Sequence, residues 1–238
     1  MKTSITVMVP AYNEEKGLKG VVIKLDEILK NMFKDYEILI FDDCSSDKTP
    51  QIADELQRTY PKVKVIHNKT NRGLGYNYRK GAHIAKKEYY TFVPGDGETQ
   101  ESSIKSILKH AGEADIISTY TANKKVRTTS RRTISYLFTT TLNILFGLKL
   151  KYYNGIAIHK TSILKKVNMI TDSFAYQAEI LIKLIRKGYS YKEVPMYIKA
   201  QNKTSIFKLK NVWGVIRIVA RLFFEIRILG IFNKKETR

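Results

Sequence analysis

The chain has 238 residues, of which 42 are Lys or Arg and 22 are Asp or Glu, so its formal net charge is +20. Because 43% of the residues are hydrophobic, there is enough apolar material for one large α/β domain or two small ones, and a disordered polycation is excluded. The single cysteine, Cys44, excludes a disulfide framework and a thiolate zinc site.

The charge is unevenly distributed along the chain. Residues 1–120 contain 18 basic and 17 acidic residues, whereas residues 121–238 contain 24 basic and 5 acidic residues. This division predicts two roles in one chain, with the second half facing phosphate, nucleic acid or an acidic membrane surface. No leader-like apolar start and no long uninterrupted apolar run is present in the sequence, so we expect a cytosolic protein without a membrane span.

Strands and helices alternate through the first half of the chain. The expected strands lie at 5–9, 36–41, 63–66 and 89–93. One helix is expected to begin after Asn13 as its N-cap, and two more are expected at 50–59 and near 76–86. This alternation predicts an α/β fold with a doubly wound, mostly parallel sheet flanked by helices. In such sheets ligands bind at the carboxyl ends of the strands.

The second half has a weaker pattern. A strand at 115–118 closes the first half, and the basic, Thr- and Ser-rich segment 121–133 lacks an apolar period and is expected to be a mobile loop. Further elements are expected as helices near 134–146 and 174–187, a strand at 153–158 and an edge strand at 191–198.

Acidic residues follow two of the predicted strands. Asp96 and Glu98 could chelate one hard divalent cation that holds a diphosphate, although Pro-Gly and Asp-Gly are equally typical of a plain turn. Asp43 could accept hydrogen bonds from a ribose hydroxyl or a base N–H, and Asp47 is expected to cap a helix. A dinucleotide fingerprint is excluded because Tyr78 stands where its third glycine would be.

The order and spacing of these segments resemble family 2 glycosyltransferases, which have the glycosyltransferase-A fold. Within that family the chain resembles the dolichyl- or polyprenyl-phosphate mannose and glucose synthase branch. The resemblance covers roughly residues 4–206 and rests on Pro10 to Glu14, Asp42-Asp43, Asn71 to Gly75 with Gly81, Asp96 and Glu98, Arg131 to Ser135, Asn154-Gly155, Phe174 to Glu179 and Glu193 to Pro195.

The resemblance implies an inverting hexosyltransferase that moves a sugar from a nucleotide-diphosphate sugar to a polyprenyl phosphate. It implies that the donor is bound by Pro10, Ala11, Tyr12, Glu14, Phe41, Asp43 and Gly95. Mg²⁺ or Mn²⁺ would be held by Asp96 and Glu98, catalysis would use Asp96, Arg131 and Arg132, and the acceptor would meet Ser135, Glu179 and Lys203. A lipid phosphate is already an anion, so this reaction needs no general base.

Several positions depart from the family pattern, among them Glu98 at a usual glutamine and Lys203 and Ile206 at the glycine and final lysine of the closing motif. Pro94 stands at the first metal-binding acid, Cys44 at a usual glycine, Tyr120 at an arginine and Ala200 at the arginine that opens the closing motif. These departures leave two alternatives open. One is a transferase of the same fold that acts on a hydroxyl of a lipid-linked or surface glycan, with Glu179 or Asp96 as base. The remote one is a nucleic-acid-binding protein.

The chain is expected to divide into a glycosyltransferase domain at 1–206 and a basic amphipathic helix at 207–238. Within the domain, 1–120 would bind the nucleotide sugar and 121–206 the acceptor. Polar residues at helical spacing in the tail form a stripe opposite an apolar face, which is typical of a helix at an anionic membrane surface. The stripe is Arg217, Arg221 and Glu225, and the apolar face is Val215, Val219, Leu222, Phe223, Ile226 and Leu229. The alternative is a helix packed on the core of the enzyme. We expect the enzyme on the inner face of the membrane, with no nucleic-acid partner.

Overall fold

Seven strands form one sheet in the order β3-β2-β1-β4-β6-β5-β7. The structure is a computed structural model that describes residues 3–172, 175–198, 217 and 219–228. The strands are β1 Ser4–Ala11, β2 Asp35–Asp42, β3 Val63–His67, β4 Tyr89–Phe92, β5 Ile116–Thr121, β6 Ala157–Lys160 and β7 Tyr191–Met196. The helices are α1 Leu18–Met32, α2 Thr49–Thr59, α3 Gly73–Ile84, α4 Glu101–Leu108, α5 Thr129–Phe146, α6 Thr161–Leu164 and α7 Tyr176–Arg186.

The centre of the sheet is covered on both faces. In β1 the consecutive residues Val7, Met8 and Val9 are fully buried, as expected for a parallel strand between two helical layers. The chain runs outward from β1 to β2 and β3 and then returns to pair β4 with the other side of β1. Because the strand order reverses between β1 and β4, the carboxyl ends of these two strands border the crevice where such folds bind ligands.

The start of α1 differs from the expectation. The helix begins at Leu18, so Asn13 is not its N-cap. Asn13 instead has a φ of 57° and its Oδ1 accepts a hydrogen bond from the backbone N–H of Ser46 at 2.9 Å. Asparagine tolerates this left-handed conformation better than most residues, so Asn13 shapes the loop between β1 and α1.

The second half also differs from the expectation. The segment 121–133 is not a loop throughout, because β5 extends to Thr121, a 3₁₀ turn covers Lys124–Val126 and α5 begins at Thr129. The first buried residue of α5 is Thr139, so its first turns carry no apolar period to detect. The strand expected at 153–158 is β6, which begins at Ala157 and runs antiparallel to β4 and β5.

Two side chains among the described residues of the tail pack on the core. Leu222 is 3% exposed and Ile226 is fully buried, and both belong to the hydrophobic core. The predicted exposure of these two side chains to lipid is therefore wrong, because both cover the core instead. Phe223 and Phe224 remain exposed. The boundary at 206 and 207 lies outside the described residues and stays a prediction. Among the residues that the structure describes, no helix has both the length and the hydropathy to cross a membrane.

Candidate active site

Backbone hydrogen bonds join the loops that follow β1, β2 and β4. The N–H of Gly95 donates to the carbonyl of Pro10 at 3.2 Å, and the N–H of Asp43 donates to the carbonyl of Ala11 at 2.9 Å. Gly95 is required at this contact, because a Cβ atom there would lie 2.9 Å from the Pro10 carbonyl oxygen. The structure therefore brings together the three strand ends on which the sequence places donor-binding residues.

The Asp43 carboxylate holds the loop that leads into α3. It accepts hydrogen bonds from the backbone N–H groups of Arg72 at 2.9 Å and Gly73 at 2.8 Å, and from Asn68 Nδ2 at 2.8 Å. Burial alone would raise the pKa of Asp43, but these hydrogen bonds stabilise the charged form and lower it. Asp43 is thus an ionised anchor at the strand end, and its contact with a donor stays a prediction.

The backbone conformation at Cys44 explains why the family usually has a glycine at this position. Its φ is 66°, in the left-handed region that favours glycine. A glycine at this position would adopt the same turn without steric cost, so the cysteine keeps the turn and carries the strain. Asp47 is structural but is not the expected N-cap, because Lys48 is the N-cap of α2 and Asp47 lies one residue earlier, where its Oδ1 accepts the N–H of Thr49 at 2.9 Å.

The loop after β4 carries an acidic cluster formed by Asp96, Glu98 and Glu14. Asp96 is half-buried and its Oδ1 accepts the N–H of Glu98 at 2.9 Å. Burial, with the negative charge of Glu98, raises the pKa of Asp96. Burial and the charges of Asp96 and Glu98 likewise raise the pKa of Glu14. The three carboxylates therefore repel one another, and a cation would relieve this repulsion.

The helix α1 positions this loop. A Cβ atom on Gly17 would lie 2.7 Å from the carbonyl carbon of Asp96, so only glycine allows the two backbones to approach so closely.

The remaining predicted donor residues differ in exposure. Tyr12 is 50% exposed, whereas the side chains of Ala11 and Phe41 are 2% and 0% exposed. The last two belong to the core, so any contact of theirs with a donor would have to come from the backbone.

A cavity of about 560 Å³ lies between α5, the 3₁₀ turn and the segment after α5. Its lining has four cations and no acid among the described residues: Thr121, Lys124, Arg127, Thr129, Arg132, Thr133, Ser135, Tyr136, Thr139, Thr140, Asn143, Leu150, Lys151 and Tyr152. The predicted catalytic residue Arg132 and the predicted acceptor-binding residue Ser135 thus lie in one basic cavity, and both roles stay predictions. Arg131 is half-buried and is not among the described residues of this lining.

Residues 6–175 match the model of the family described as glycosyl transferase family 2. The chain belongs to this family. It is 27% identical over 211 residues to the dolichyl-phosphate beta-glucosyltransferase ALG5A of Trichomonas vaginalis, which covers 81% of this chain and 64% of that protein. It is 25% identical over 203 residues to the undecaprenyl-phosphate mannosyltransferase of Micrococcus luteus, which covers 81% of this chain and 82% of that protein.

The fold agrees with solved structures. The glucosyl-3-phosphoglycerate synthase of Mycobacterium tuberculosis, in complex with Mn²⁺, UDP and glucosyl-3-phosphoglycerate, superposes with a TM-score of 0.64 at 14% identity, over 94% of this chain and 80% of that one. The expected glycosyltransferase-A fold is confirmed. The chain is also 32% identical to the glycosyltransferase GlyG of Streptococcus pneumoniae over 48% of this chain. It spans 64% of the length of the Trichomonas protein and 37% of the length of GlyG.

For a family 2 glycosyltransferase, the acidic cluster is the natural place for a divalent cation. Carboxylate oxygens are the ligands that Mg²⁺ and Mn²⁺ prefer, and burial together with mutual repulsion raises the pKa values of Asp96 and Glu14. In the described part of the chain, no group of three or more His, Cys, Asp or Glu side chains is arranged to hold a metal ion. The two carboxylates of Asp96 and Glu98 suit a divalent cation chemically, and its binding there stays a prediction.

Glu179 has a structural place in this enzyme. It is 1% exposed, and its carboxylate accepts the backbone N–H groups of Ile170 at 2.9 Å and Thr171 at 3.0 Å as well as the ammonium of Lys183. These contacts tie the segment before α7 to the helix, and the buried carboxylate is closed to an acceptor in this structure. Its predicted contact with the acceptor, or its use as a base, therefore lacks geometric support. Lys203 lies outside the described residues.

Four residues of the cavity were not predicted as site residues from the sequence: Lys124, Arg127, Lys151 and Tyr152. The structure places all four at the basic cavity. The signal available in the sequence was the segment Lys149 to Tyr153, which places two lysines next to two tyrosines shortly after α5.

Proposed function

We propose that this family 2 glycosyltransferase transfers a hexose from a nucleotide-diphosphate sugar to a polyprenyl phosphate at the cytoplasmic face of a membrane. The observation that carries the proposal is the basic cavity of the second half, which borders an exposed apolar side of α5. A molecule with a phosphate head and an apolar tail matches both surfaces. The relatives named for dolichyl-phosphate and undecaprenyl-phosphate transfer support the same acceptor class.

The apolar side of α5 is formed by residues that recur at helical spacing. Ile134 is 42% exposed, Leu137 is 57% exposed and Ile144 is 72% exposed. Tyr136, at 69% exposed, also lines the cavity and so connects the two surfaces. Exposed apolar groups of this size on one helix face are typical of contact with a lipid or a partner. An isoprenoid chain leaving the cavity would cover them.

The acidic cluster would hold the departing part of the donor. Asp96 and Glu98 would bind Mg²⁺ or Mn²⁺, whose charge would stabilise the diphosphate as it leaves. The strand-end residues Pro10, Tyr12, Glu14, Asp43 and Gly95 would hold the nucleoside, with Asp43 keeping the loop at 68–73 in place through its three hydrogen bonds.

The basic residues of the second half would position the nucleophile. An oxygen of the acceptor phosphate forms the new bond to the anomeric carbon while the bond from that carbon to the diphosphate breaks, and the nucleoside diphosphate departs from the opposite face. The configuration at the anomeric carbon is therefore inverted. Arg132, with Arg131 beside it in α5, would hold the negative charge of the acceptor close to the sugar. No proton has to be removed, because the phosphate is already ionised.

Transfer to a hydroxyl of a lipid-linked or surface glycan is the second candidate. Such an acceptor needs a positioned base, and the burial of Glu179 leaves Asp96 as the carboxylate available for that step. The basic, acid-free cavity favours the phosphate acceptor. It also gives four of the 24 basic residues of the second half a role that needs no nucleic acid.

A location at the membrane is supported by α5 more than by the tail. The tail uses Leu222 and Ile226 to cover the core, whereas Ile134, Leu137 and Ile144 are left exposed beside a basic cavity. Anionic headgroups would meet the cations around the cavity, and the apolar residues of α5 would meet the acyl region.

The role of the acidic cluster is tested by Asp96→Asn, with Glu88→Gln as a control that removes an exposed carboxylate outside the cluster. Asp96→Asn should lower transfer of labelled sugar into an acid-labile lipid product by about a hundredfold or more while circular dichroism stays unchanged, because it removes a cation ligand. The control should be fully active. Near-normal transfer by Asp96→Asn would remove Asp96 from the mechanism.

A further inference from the structure

Two contacts hold Lys151 at the wall of the basic cavity, one at its backbone and one at its ammonium group. Its backbone N–H donates to Glu193 Oε1 at 2.7 Å. Its ammonium nitrogen lies 4.4 Å from the centre of the Tyr120 ring, within the range of a cation–π interaction. A lysine side chain in water normally samples many rotamers, so these two contacts fix both the backbone and the charged end of this one.

A second pair of the same kind lies next to it. The guanidinium of Arg127 lies 5.4 Å from the centre of the Tyr152 ring, and its Nη1 donates to the Tyr152 hydroxyl at 3.3 Å. The Nε of Arg127 is buried and, within the part of the chain that the structure describes, has no hydrogen-bond partner. Two cations are therefore seated on two tyrosines at one cavity wall, and one of them retains a buried N–H without an acceptor.

The lining matches a phosphate monoester. Its four cations would neutralise a dianion, and its threonine and serine hydroxyls would donate hydrogen bonds to phosphate oxygens. The volume of about 560 Å³ is within the usual range for small-molecule sites and exceeds what a phosphate alone would fill. Tyr136 belongs to this lining, and the next residue of α5, Leu137, belongs to the exposed apolar side of the helix.

Tyr120 is the residue that stands where the family resemblance expects an arginine. The tyrosine supplies no positive charge of its own, but its ring seats the ammonium of Lys151. We infer that Lys151, seated on Tyr120, binds the phosphate of the acceptor together with Arg132, and that Arg127 on Tyr152 is a further cation of the same subsite. This inference rests on the proposed transfer to a polyprenyl phosphate.

The test compares Lys151→Gln with Lys149→Gln, which removes a neighbouring exposed lysine outside the cavity lining. Initial rates are measured against the concentration of polyprenyl phosphate and, separately, of nucleotide sugar. Lys151→Gln should raise the KM for the acceptor about tenfold to a hundredfold, the usual loss for a hydrogen bond to a charged group. The KM for the donor should stay unchanged, and Lys149→Gln should change neither. A rise in the donor KM alone, or no change in either, would overturn the inference.

Direct binding separates this inference from the proposed function. Calorimetry with farnesyl phosphate in detergent should show binding that weakens in Lys151→Gln by the same factor, even if the parent enzyme transfers no sugar to polyprenyl phosphate. Tyr120→Phe should keep the binding and Tyr120→Leu should weaken it, because only the first retains the ring. If Lys151→Gln leaves farnesyl phosphate binding intact and reduces only sedimentation with phosphatidylglycerol vesicles, Lys151 binds lipid headgroups and the inference is wrong.

Discussion

His159 makes the stability of this enzyme dependent on pH in a calculable way. The side chain lies in β6, is fully buried and has its Nδ1 2.9 Å from the Tyr78 hydroxyl. Its surroundings are aromatic, with Tyr90 opposite it on β4 and Tyr176 beyond Tyr78. Burial lowers the pKa of His159 from 6.5 to about 3, because no nearby carboxylate compensates a charge there.

The sign and size follow from proton linkage. Below pH 6.5 the unfolded chain binds a proton at His159 while the folded protein does not, so the free energy of unfolding decreases as the pH falls towards 3. Each pH unit in this window costs about 1.4 kcal/mol, which gives about 2 kcal/mol between pH 6.5 and pH 5. Above pH 6.5 the contribution is complete and constant.

Urea unfolding followed by circular dichroism at pH 7, 6 and 5 measures this dependence. The comparison is with His159→Gln, which keeps a polar partner for Tyr78 but does not titrate. The difference in unfolding free energy between the two proteins should shrink by about 2 kcal/mol from pH 7 to pH 5, since all other titrating groups are shared. Parallel pH profiles for the two proteins would refute the reasoning and would mean that water reaches His159 in the folded state.

Two further predictions concern how the helices hold the site and the core. Gly17→Ala should lower the transfer rate about tenfold or more without unfolding the protein, because the added Cβ would lie 2.7 Å from the backbone of the loop after β4. Gly20→Ala should leave the rate unchanged, because a Cβ at that position would have nothing within 4 Å. Leu222→Ala should lower the free energy of unfolding by about 2–5 kcal/mol, whereas Phe224→Ala should change it by about 0.5 kcal/mol or less, both measured in urea. A rate for Gly17→Ala equal to that of Gly20→Ala, or equal stability of the two tail variants, would contradict these assignments.

The first half of the fold was accessible from the sequence because its strands are continuous apolar runs. The run from Ile5 to Val9 is buried on both faces, so it needs no alternation to be detected. The polar residues after each run then had to fall at the carboxyl ends of parallel strands. The sequence therefore predicts which strand ends lie together, whereas the contact of their residues with a donor stays a prediction.

The second half was less accessible because its decisive contacts are between distant segments. The first turns of α5 are exposed and carry no apolar period, and the direction of the short strand β6 depends on its two neighbours. The contact of Lys151 with Tyr120 joins a loop to a strand, which no local pattern indicates. The tail could not be assigned from the sequence for a related reason, since the apolar spacing around Leu222 is the same whether the face covers lipid or the core.

The central claim is that the acceptor is a polyprenyl phosphate. The most direct test incubates the purified chain with Mn²⁺, labelled nucleotide sugars and either polyprenyl phosphate or the dephosphorylated polyprenol. Label should enter an acid-labile lipid monophosphate product only with polyprenyl phosphate, since the basic cavity binds the phosphate and the reaction uses its oxygen as the nucleophile. Equal transfer to polyprenol, or label found only on a pre-existing glycan, would contradict the account.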